Sequence, residues 1–260
     1  MCTLKLKIGH LYPDLLEIYS DRGNITVLRK RAEWRGIEVQ VDRISIGDDV
    51  NLVEYDLLFS GGGEDREQMQ VAEDLLRKRD TLLRAVASGT VVLAICGSYQ
   101  LLGHYFETVN GHRIEGVGLL DFYTIGGQRR LTGNVVSKLT IFNFECTVVG
   151  YENHSGRTYL GPGVAPLATV VSGHGNNGED GLEGVVQGTV FGTYLHGPVL
   201  AKNPLLADHL LQLALKRRTD RPYLPPLEDE WEWLAHERLV RKFARMKLTC
   251  PRRVYNEVDR

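Results

Sequence analysis

The segment from Thr90 to Gly97 places the strongest constraint on how this chain can fold. Thr90–Ile95 is apolar without alternation, which is typical of a strand buried on both faces. Cys96 and Gly97 follow directly, and a helical pattern runs from Gly97 to Tyr105. A buried strand that turns at once into a helix predicts an open, mostly parallel α/β sheet.

The remaining periodicity fits such a sheet, with helices on both faces making three layers. The pattern predicts strands at Leu4–Ile8, Glu38–Ile44 and Tyr55–Phe59, and helices at Pro13–Tyr19, Ile25–Arg35, Glu64–Ser88 and Asn203–Arg217. From Gly116 to Tyr194 the chain is rich in Gly and Thr and reads as short strands and turns, which predicts antiparallel strands added to the parallel sheet.

The last part of the chain is organised differently. Residues 218–260 contain a Pro-rich connector, Thr219–Leu227, followed by an amphipathic stretch, Glu228–Met246. Its apolar positions at helical spacing are Trp231, Leu234, Ala235, Leu239 and Phe243. This stripe is expected to pack on its own domain or to dock a partner.

Composition excludes several classes of protein. Apolar residues make up 43% of the 260, and 31 Lys+Arg against 33 Asp+Glu leave a net charge of −2. This balance gives no electrostatic case for nucleic acid or an anionic membrane as the main partner. No apolar run approaches the roughly 18 residues that would span a bilayer, so no direct membrane insertion is expected. The four cysteines form no C-x-x-C pair, and the N-terminus lacks the apolar run of a signal peptide. We therefore expect a soluble cytoplasmic protein without a metal site of its own.

Cys96 is the leading candidate for a nucleophile. The turn from strand to helix would expose its side chain on a tight elbow, and the helix N-terminus favours the thiolate. A buried structural cysteine is the alternative. A nucleophilic cysteine needs a base, and His196 is the first candidate because it follows the apolar strand Thr189–Leu195. His154 is the second, and spacing alone does not decide between them.

The triple glycine Gly61-Gly62-Gly63 follows a predicted strand and precedes a predicted helix. Its backbone N–H groups could face an oxyanion, or the segment could be a simple turn. No Lys follows in the pattern that phosphate-binding loops require.

Together these residues resemble the class I glutamine amidotransferases, in their cobyric acid synthase-like branch, and within it the glutaminase subunits of lipid II isoglutaminyl synthases. The matching segments run in order along the chain: His10–Leu16, Tyr19–Asn24, Ser60–Asp65, Ala94–Gly103, Arg130–Asn134, Tyr151–Thr158 and Gly192–Pro198. The resemblance implies a flavodoxin-like amidotransferase domain at residues 1–217.

The resemblance also implies the chemistry. Cys96 would attack the side-chain amide of L-glutamine to form a thioester, and His196 would act as general acid and base. The N–H groups of Gly62 and Gly97 would hold the oxyanion, and Arg130 would bind the α-carboxylate of the substrate. No cofactor is expected in this chain.

Two departures from the wider class stand out. Ala94 and Ser98 occupy positions where many members carry glycine, and Gly197-Pro198 after His196 replaces the usual His-x-Glu pairing. Either a dyad is sufficient, or a carboxylate reaches His196 from elsewhere, including from a partner subunit.

The chain has no ATP-binding motif, so the ammonia must be used elsewhere. In the resembled group a Mur ligase-like synthetase subunit, which would carry ATP and Mg²⁺, amidates the D-glutamate α-carboxyl of the lipid II stem peptide. A heterodimer at the inner face of the membrane is therefore expected, with lipid II reached through the partner. The alternatives are amidation of another acid such as a corrinoid, a hydrolase of the same broad fold, and a catalytically silent scaffold for the synthetase.

Overall fold

The computed structural model describes residues 4–220 and 222–244. Its strands are β1 Lys5–Leu11, β2 Glu38–Ile44, β3 Leu57–Ser60, β4 Val91–Ile95, β5 Tyr105–Glu107, β6 Arg113–Glu115, β7 Phe122–Leu139, β8 Thr147–Leu160, β9 Ala168–Ser172, β10 Leu182–Glu183, β11 Val185–Gln187 and β12 Val190–Thr193. Its α-helices are α1 Gly23–Glu33, α2 Asp65–Arg77, α3 Arg79–Ala87, α4 Gly97–Leu102, α5 Pro204–Leu215 and α6 Glu230–Leu239. Short 3₁₀ turns lie at Ile18–Ser20, Leu52–Glu54 and Val199–Lys202, and a π-helical turn lies at Val240–Ala244.

The strands form two sheets. The first has the order β11-β12-β4-β3-β1-β2, in which only β11 pairs antiparallel to its neighbour. The second has the order β10-β9-β7-β5-β6, with β8 also paired to β7. The predicted α/β class is confirmed. The antiparallel strands, however, build mainly this second sheet instead of extending the first, because the long strands β7 and β8 pair chiefly with each other.

The centre of the first sheet is the part that positions the site. All five residues of β4 are buried, as the unbroken apolar run predicted. Its neighbours β3 and β12 are also buried throughout. Because β3, β4 and β12 are parallel, the segments that follow them emerge at one edge of the sheet.

Three helix predictions need correction. Residues 13–19 form turns ending in the short 3₁₀ segment, and Tyr19 and Ser20 have φ of 54° and 62°, so an α-helix cannot continue there. The helix predicted at Glu64–Ser88 is divided into α2 and α3 at Lys78, where φ and ψ are −84° and 0°. Helix α4 is shorter than predicted because Gly103 is extended.

The C-terminal segment packs on the same chain as far as residue 244. His236 bridges the Thr147 hydroxyl and the Lys202 carbonyl oxygen at 2.7 Å each. The buried positions of α6 include Trp233, whereas Trp231 of the predicted stripe is 75% exposed. The stripe is therefore wrong at Trp231 and Leu234, which are exposed. Leu239 and Phe243 do pack against the buried cluster of valines at positions 136, 149 and 240. Residues 245 and 246 of the predicted amphipathic stretch lie outside the described residues. No helix in 4–220 or 222–244 has both the length and the apolar character to cross a bilayer.

Candidate active site

Cys96 stands on a strained turn between β4 and α4. Its φ and ψ are 50° and −106°, a conformation that is costly for a residue with a Cβ, typically about 1–3 kcal/mol. Its N–H still donates to Thr193 O (2.8 Å), and its carbonyl accepts from Gln100 N (3.0 Å). The backbone thus ends one strand ladder and starts a helix at a single residue. This is the backbone geometry of a nucleophile elbow. The predicted exposure of the side chain is wrong, because Cys96 is only 5% exposed, although it lines a cavity.

His196 lies beside Cys96 because β12 pairs with β4. The parallel register matches Thr193 with Ile95, so the segments after β12 and β4 leave the sheet at the same edge. Beyond β12, the backbone of His196 pairs with Tyr151 of β8 (N–O 2.8 and 3.2 Å). The imidazole is completely buried. Its Nε2 makes no hydrogen bond of normal geometry within the described residues, but Cys96 is near enough to interact electrostatically with the ring.

Asp21 supplies the carboxylate that sequence reasoning did not identify. Both of its oxygens lie 3.1 Å from His196 Nδ1, and Oδ2 also accepts the Gly62 N–H at 2.8 Å. The Asp21 side chain is fully buried. A carboxylate only accepts hydrogen bonds, so Nδ1 carries the hydrogen and Nε2 is left to face Cys96.

The protonation state of His196 follows from these contacts. Burial lowers the pKa of the imidazole, but the charge of Cys96 and the hydrogen bond to Asp21 outweigh burial and raise the pKa to about 10. The imidazolium is therefore the favoured form of His196 at neutral pH. A cysteine nucleophile is activated when its thiolate forms a charged pair with such an imidazolium.

The loop of Gly61, Gly62 and Gly63 does not present the Gly62 N–H to an oxyanion as predicted. The N–H of Gly62 is bonded to Asp21, so it is not free to hold an oxyanion in this structure. A Cβ at Gly62 would lie 2.8 Å from Cε1 of His196, which explains why the ring needs glycine there. Gly97 is the first residue of α4, where a backbone N–H has no intrahelical acceptor. Gly63 lines the cavity in front of Cys96.

Ser98 joins the glycine loop to α4. Its hydroxyl donates to the carbonyl oxygen of Gly61, which can only accept, and shares a second hydrogen bond of 2.6 Å with the hydroxyl of Ser60. Ser98 thus accounts for one departure from the glycine pattern of the wider class: the hydroxyl ties the loop to the helix that begins after Cys96.

A polar cavity of about 750 Å³ opens in front of Cys96. Arg130 lies in its wall, where Nε donates to Asn153 Oδ1 (2.8 Å) and a terminal nitrogen donates to Asn153 O (2.9 Å). Glu64 and Asp65 line the same cavity. Burial raises the pKa of Asp65, and the positive charge of Arg130 partly opposes that shift. The cavity wall therefore carries both a positive and negative side chains, which suits the opposite charges of a zwitterionic amino acid.

His154, the second histidine candidate, also lines this cavity but is held differently. Its ring stacks on Tyr194 at 3.6 Å, and Nδ1 donates to Gly156 O at 2.7 Å. Nε2 lies 3.8 Å from a carboxylate oxygen of Glu152. Burial lowers the pKa of His154. Of the two histidines, His196 is the one whose Nδ1 is oriented by a carboxylate and whose ring interacts electrostatically with Cys96, as a general base for this cysteine requires.

Comparison with known proteins agrees with this geometry. Residues 7–204 match the CobB/CobQ-like glutamine amidotransferase domain. The chain is 43% identical over 227 residues to the GatD subunit of the glutamine-hydrolysing lipid II isoglutaminyl synthase of Streptococcus pneumoniae, covering 86% of each chain. It is 42% identical over 244 residues to the corresponding GatD subunit of Staphylococcus aureus, covering 94% of this chain and 98% of that one.

The fold is also similar to that of a chain in the PurLQS structure from Thermotoga maritima. That likeness has a TM-score of 0.56 at 16% identity and covers 84% of this chain and all of the other, so it supports the fold alone. The family match spans most of the chain, and its conclusion is plain: the chain belongs to the CobB/CobQ-like glutamine amidotransferases and is a glutamine-hydrolysing enzyme subunit.

Proposed function

We propose that this chain is the glutaminase subunit of a lipid II isoglutaminyl synthase. The observation that carries the proposal is the line of Cys96, His196 and Asp21 at the edge of a cavity that also contains Arg130. The two GatD relatives support the lipid II assignment because the match extends over most of both chains. The cobyric acid synthases match less of this chain, 56% in the case of Pelotomaculum thermopropionicum.

Substrate binding uses the positive and the negative side chains in the wall of the cavity. Arg130 takes the α-carboxylate of L-glutamine, since a guanidinium binds a carboxylate through two parallel hydrogen bonds. Asp65 and Glu64 face the α-ammonium group. The side-chain amide then extends toward Cys96, whose cavity also contains the orienting amides of Gln68 and Gln100.

Acyl transfer follows from the charged pair. The Cys96 thiolate attacks the amide carbon, and the N–H groups of Gly97 and Gly63 stabilise the oxyanion, where one donor is typically worth about 3–4 kcal/mol. The His196 imidazolium gives its Nε2 proton to the amide nitrogen, the C–N bond breaks, and ammonia leaves. Neutral His196 next takes a proton from water, and the resulting hydroxide attacks the thioester carbon. The C–S bond breaks, glutamate leaves, and the Cys96 thiolate and the His196 imidazolium are restored. Asp21 keeps Nδ1 protonated and the ring in place throughout.

The ammonia passes to a Mur ligase-like synthetase subunit in a heterodimer. That subunit binds ATP and Mg²⁺ and activates the D-glutamate α-carboxyl of the lipid II stem peptide, which becomes D-isoglutamine. This chain carries no cofactor of its own in the proposed reaction. It works in the cytoplasm at the inner face of the membrane and reaches lipid II only through the partner.

The test is ammonia release from L-glutamine by the purified chain, alone and with the synthetase subunit. We expect release that disappears in Cys96→Ser and increases with the partner. Isoglutaminyl lipid II should form only when both subunits, ATP and lipid II are present. Release without lipid II amidation would indicate another acceptor, such as a corrinoid acid. No release in either setting would identify a silent scaffold.

A further inference from the structure

Gln68 is a buried polar side chain that the proposed mechanism does not require for bond breaking. It lies on α2, is 2% exposed, and lines the cavity of Cys96. Its amide packs directly against the residue after the nucleophile, because a Cβ at Gly97 would lie 2.4 Å from Gln68 Nε2. Gln68 is therefore adjacent to the place where a scissile amide must bind.

Hydrogen bonds fix which way the Gln68 amide points. Nε2 donates to Gln100 Oε1 at 2.9 Å and to the Gly63 carbonyl oxygen at 3.4 Å. A carbonyl oxygen accepts only, so Gly63 selects the orientation with nitrogen toward it. Gln100 Nε2 then donates to the Tyr194 hydroxyl at 3.1 Å, and that hydroxyl bonds Thr158 at 2.7 Å. Because Tyr194 accepts from Gln100, its own hydrogen is directed to Thr158.

These hydrogen bonds use both N–H groups of the Gln68 amide and leave its oxygen without a partner. Gln68 Oε1 is buried and has no hydrogen-bond partner among the residues that the structure describes. A buried acceptor without a donor is unfavourable, and it becomes favourable when a ligand brings the donor. Gln68 lines the cavity in front of Cys96, so a ligand in that cavity could bring the donor.

We propose that Gln68 determines the specificity for a carboxamide, because its Oε1 accepts an N–H from the scissile amide of the substrate. This inference rests on the proposed glutaminase function. The –NH₂ group of glutamine supplies the missing donor, whereas the carboxylate of glutamate has only acceptors and would face the oxygen of Gln68 unfavourably. The same contact therefore favours substrate binding and product release. It also holds the amide nitrogen in one orientation for protonation by His196.

The experiment compares two substrates that differ only in the leaving group. L-glutamine carries N–H donors, and the γ-methyl ester of L-glutamate carries none, yet hydrolysis of both yields glutamate. Glutamate formation is measured for the full chain, in complex with the synthetase subunit, with and without Gln68→Met. Gln70→Met is the matched control, because it places the same substitution on an exposed position of α2.

We expect Gln68→Met to lower kcat/KM for glutamine by about tenfold, in line with the loss of one hydrogen bond, and to change kcat/KM for the ester less than about twofold. Gln70→Met should change neither. Equal losses on both substrates would show that Gln68 is only structural and would overturn the proposal, as would no loss on either. Failure of the unaltered complex to hydrolyse glutamine would instead contradict the proposed function.

A second measurement does not depend on the folding of a Gln68 variant. In Cys96→Ala, which retains Gln68 but cannot form the thioester, the Kd of each ligand is measured by calorimetry. Glutamine should bind about tenfold more tightly than the γ-methyl ester, since one hydrogen bond separates them. Equal affinities would overturn the proposal.

Discussion

Replacing Asp21 by asparagine should separate the role of the buried carboxylate from the shape of the side chain. The substitution keeps the volume and removes the charge. Asp21 accepts from two donors, His196 Nδ1 and the Gly62 amide. Asparagine has one oxygen and one NH₂ group. Because Oδ2 accepts from Gly62 and both oxygens of Asp21 lie 3.1 Å from Nδ1, the NH₂ group of an asparagine faces at least one of these two donors in either orientation.

Both orientations of the asparagine damage the site. If its oxygen takes the place of Oδ2, it can accept from both donors, but the charge that favours the imidazolium is lost. The NH₂ group then lies beside Nδ1 and favours the tautomer with hydrogen on Nε2, which cannot take a proton from Cys96. If the NH₂ group takes the place of Oδ2, it faces the Gly62 amide, and a buried donor is left without an acceptor. We expect a loss in kcat of roughly 10³–10⁴-fold, the size of effect seen when a triad carboxylate becomes an amide. The unfolding free energy should fall by about 1–3 kcal/mol.

The assay is steady-state glutamate formation from glutamine by the complex, with thermal unfolding of the same samples. KM should change little, because Asp21 does not line the cavity. Asp14→Asn is the matched control, since Asp14 is exposed and pairs with Arg43. If Asp21→Asn retained kcat within about threefold of the unaltered enzyme, Asp21 would not be the group that orients His196. A carboxylate of the partner subunit would then be the next candidate.

Three further predictions concern binding, packing and pH. Arg130→Met should raise KM for glutamine by about tenfold or more with kcat nearly unchanged, because it removes a contact made equally before and during the reaction; a proportionate fall in kcat would contradict this. Gly62→Ala should lower kcat by about 100-fold, since the new Cβ would lie 2.8 Å from Cε1 of His196 and small displacements of this kind are costly; a crystal structure of the variant with an unmoved ring would refute it. The folded-state pKa of His196, raised from 6.5 to about 10, means that its contribution to stability is complete below about pH 6.5 and is lost as the pH rises through 10. Urea unfolding between pH 6 and 10.5 should therefore show a steeper decline for the unaltered chain than for His196→Gln.

Local sequence patterns determined the elbow and its strand. The apolar run before Cys96 could only be a strand buried on both faces, and Gly97 begins a helix directly after it. These features depend on neighbouring residues and on the period of the side chains, which a single sequence records. The choice between His196 and His154 does not, because it follows from the pairing of β12 with β4, which matches Thr193 with Ile95.

The amphipathic tail shows where periodicity stops being sufficient. Its apolar positions allow more than one buried face, and the sequence pattern selected the one with Trp231. The structure buries Trp233 and His236 instead, because His236 finds hydrogen-bond partners on β8 and at Lys202. Such partners are known only once the helix is docked.

Tertiary structure alone decided the polar partners of the catalytic pair. Asp21 is 175 positions from His196, and in the sequence it is one residue of an ordinary turn signal, Ser20–Asn24. Gln68 reads as a polar position on an amphipathic helix, and nothing local marks it as buried against Gly97. The side chains that orient the imidazole and contact the cavity act through hydrogen bonds between segments far apart in the chain. Hydrogen bonds have strict distance and direction requirements but no period along the sequence, so only the folded chain shows which residues satisfy them.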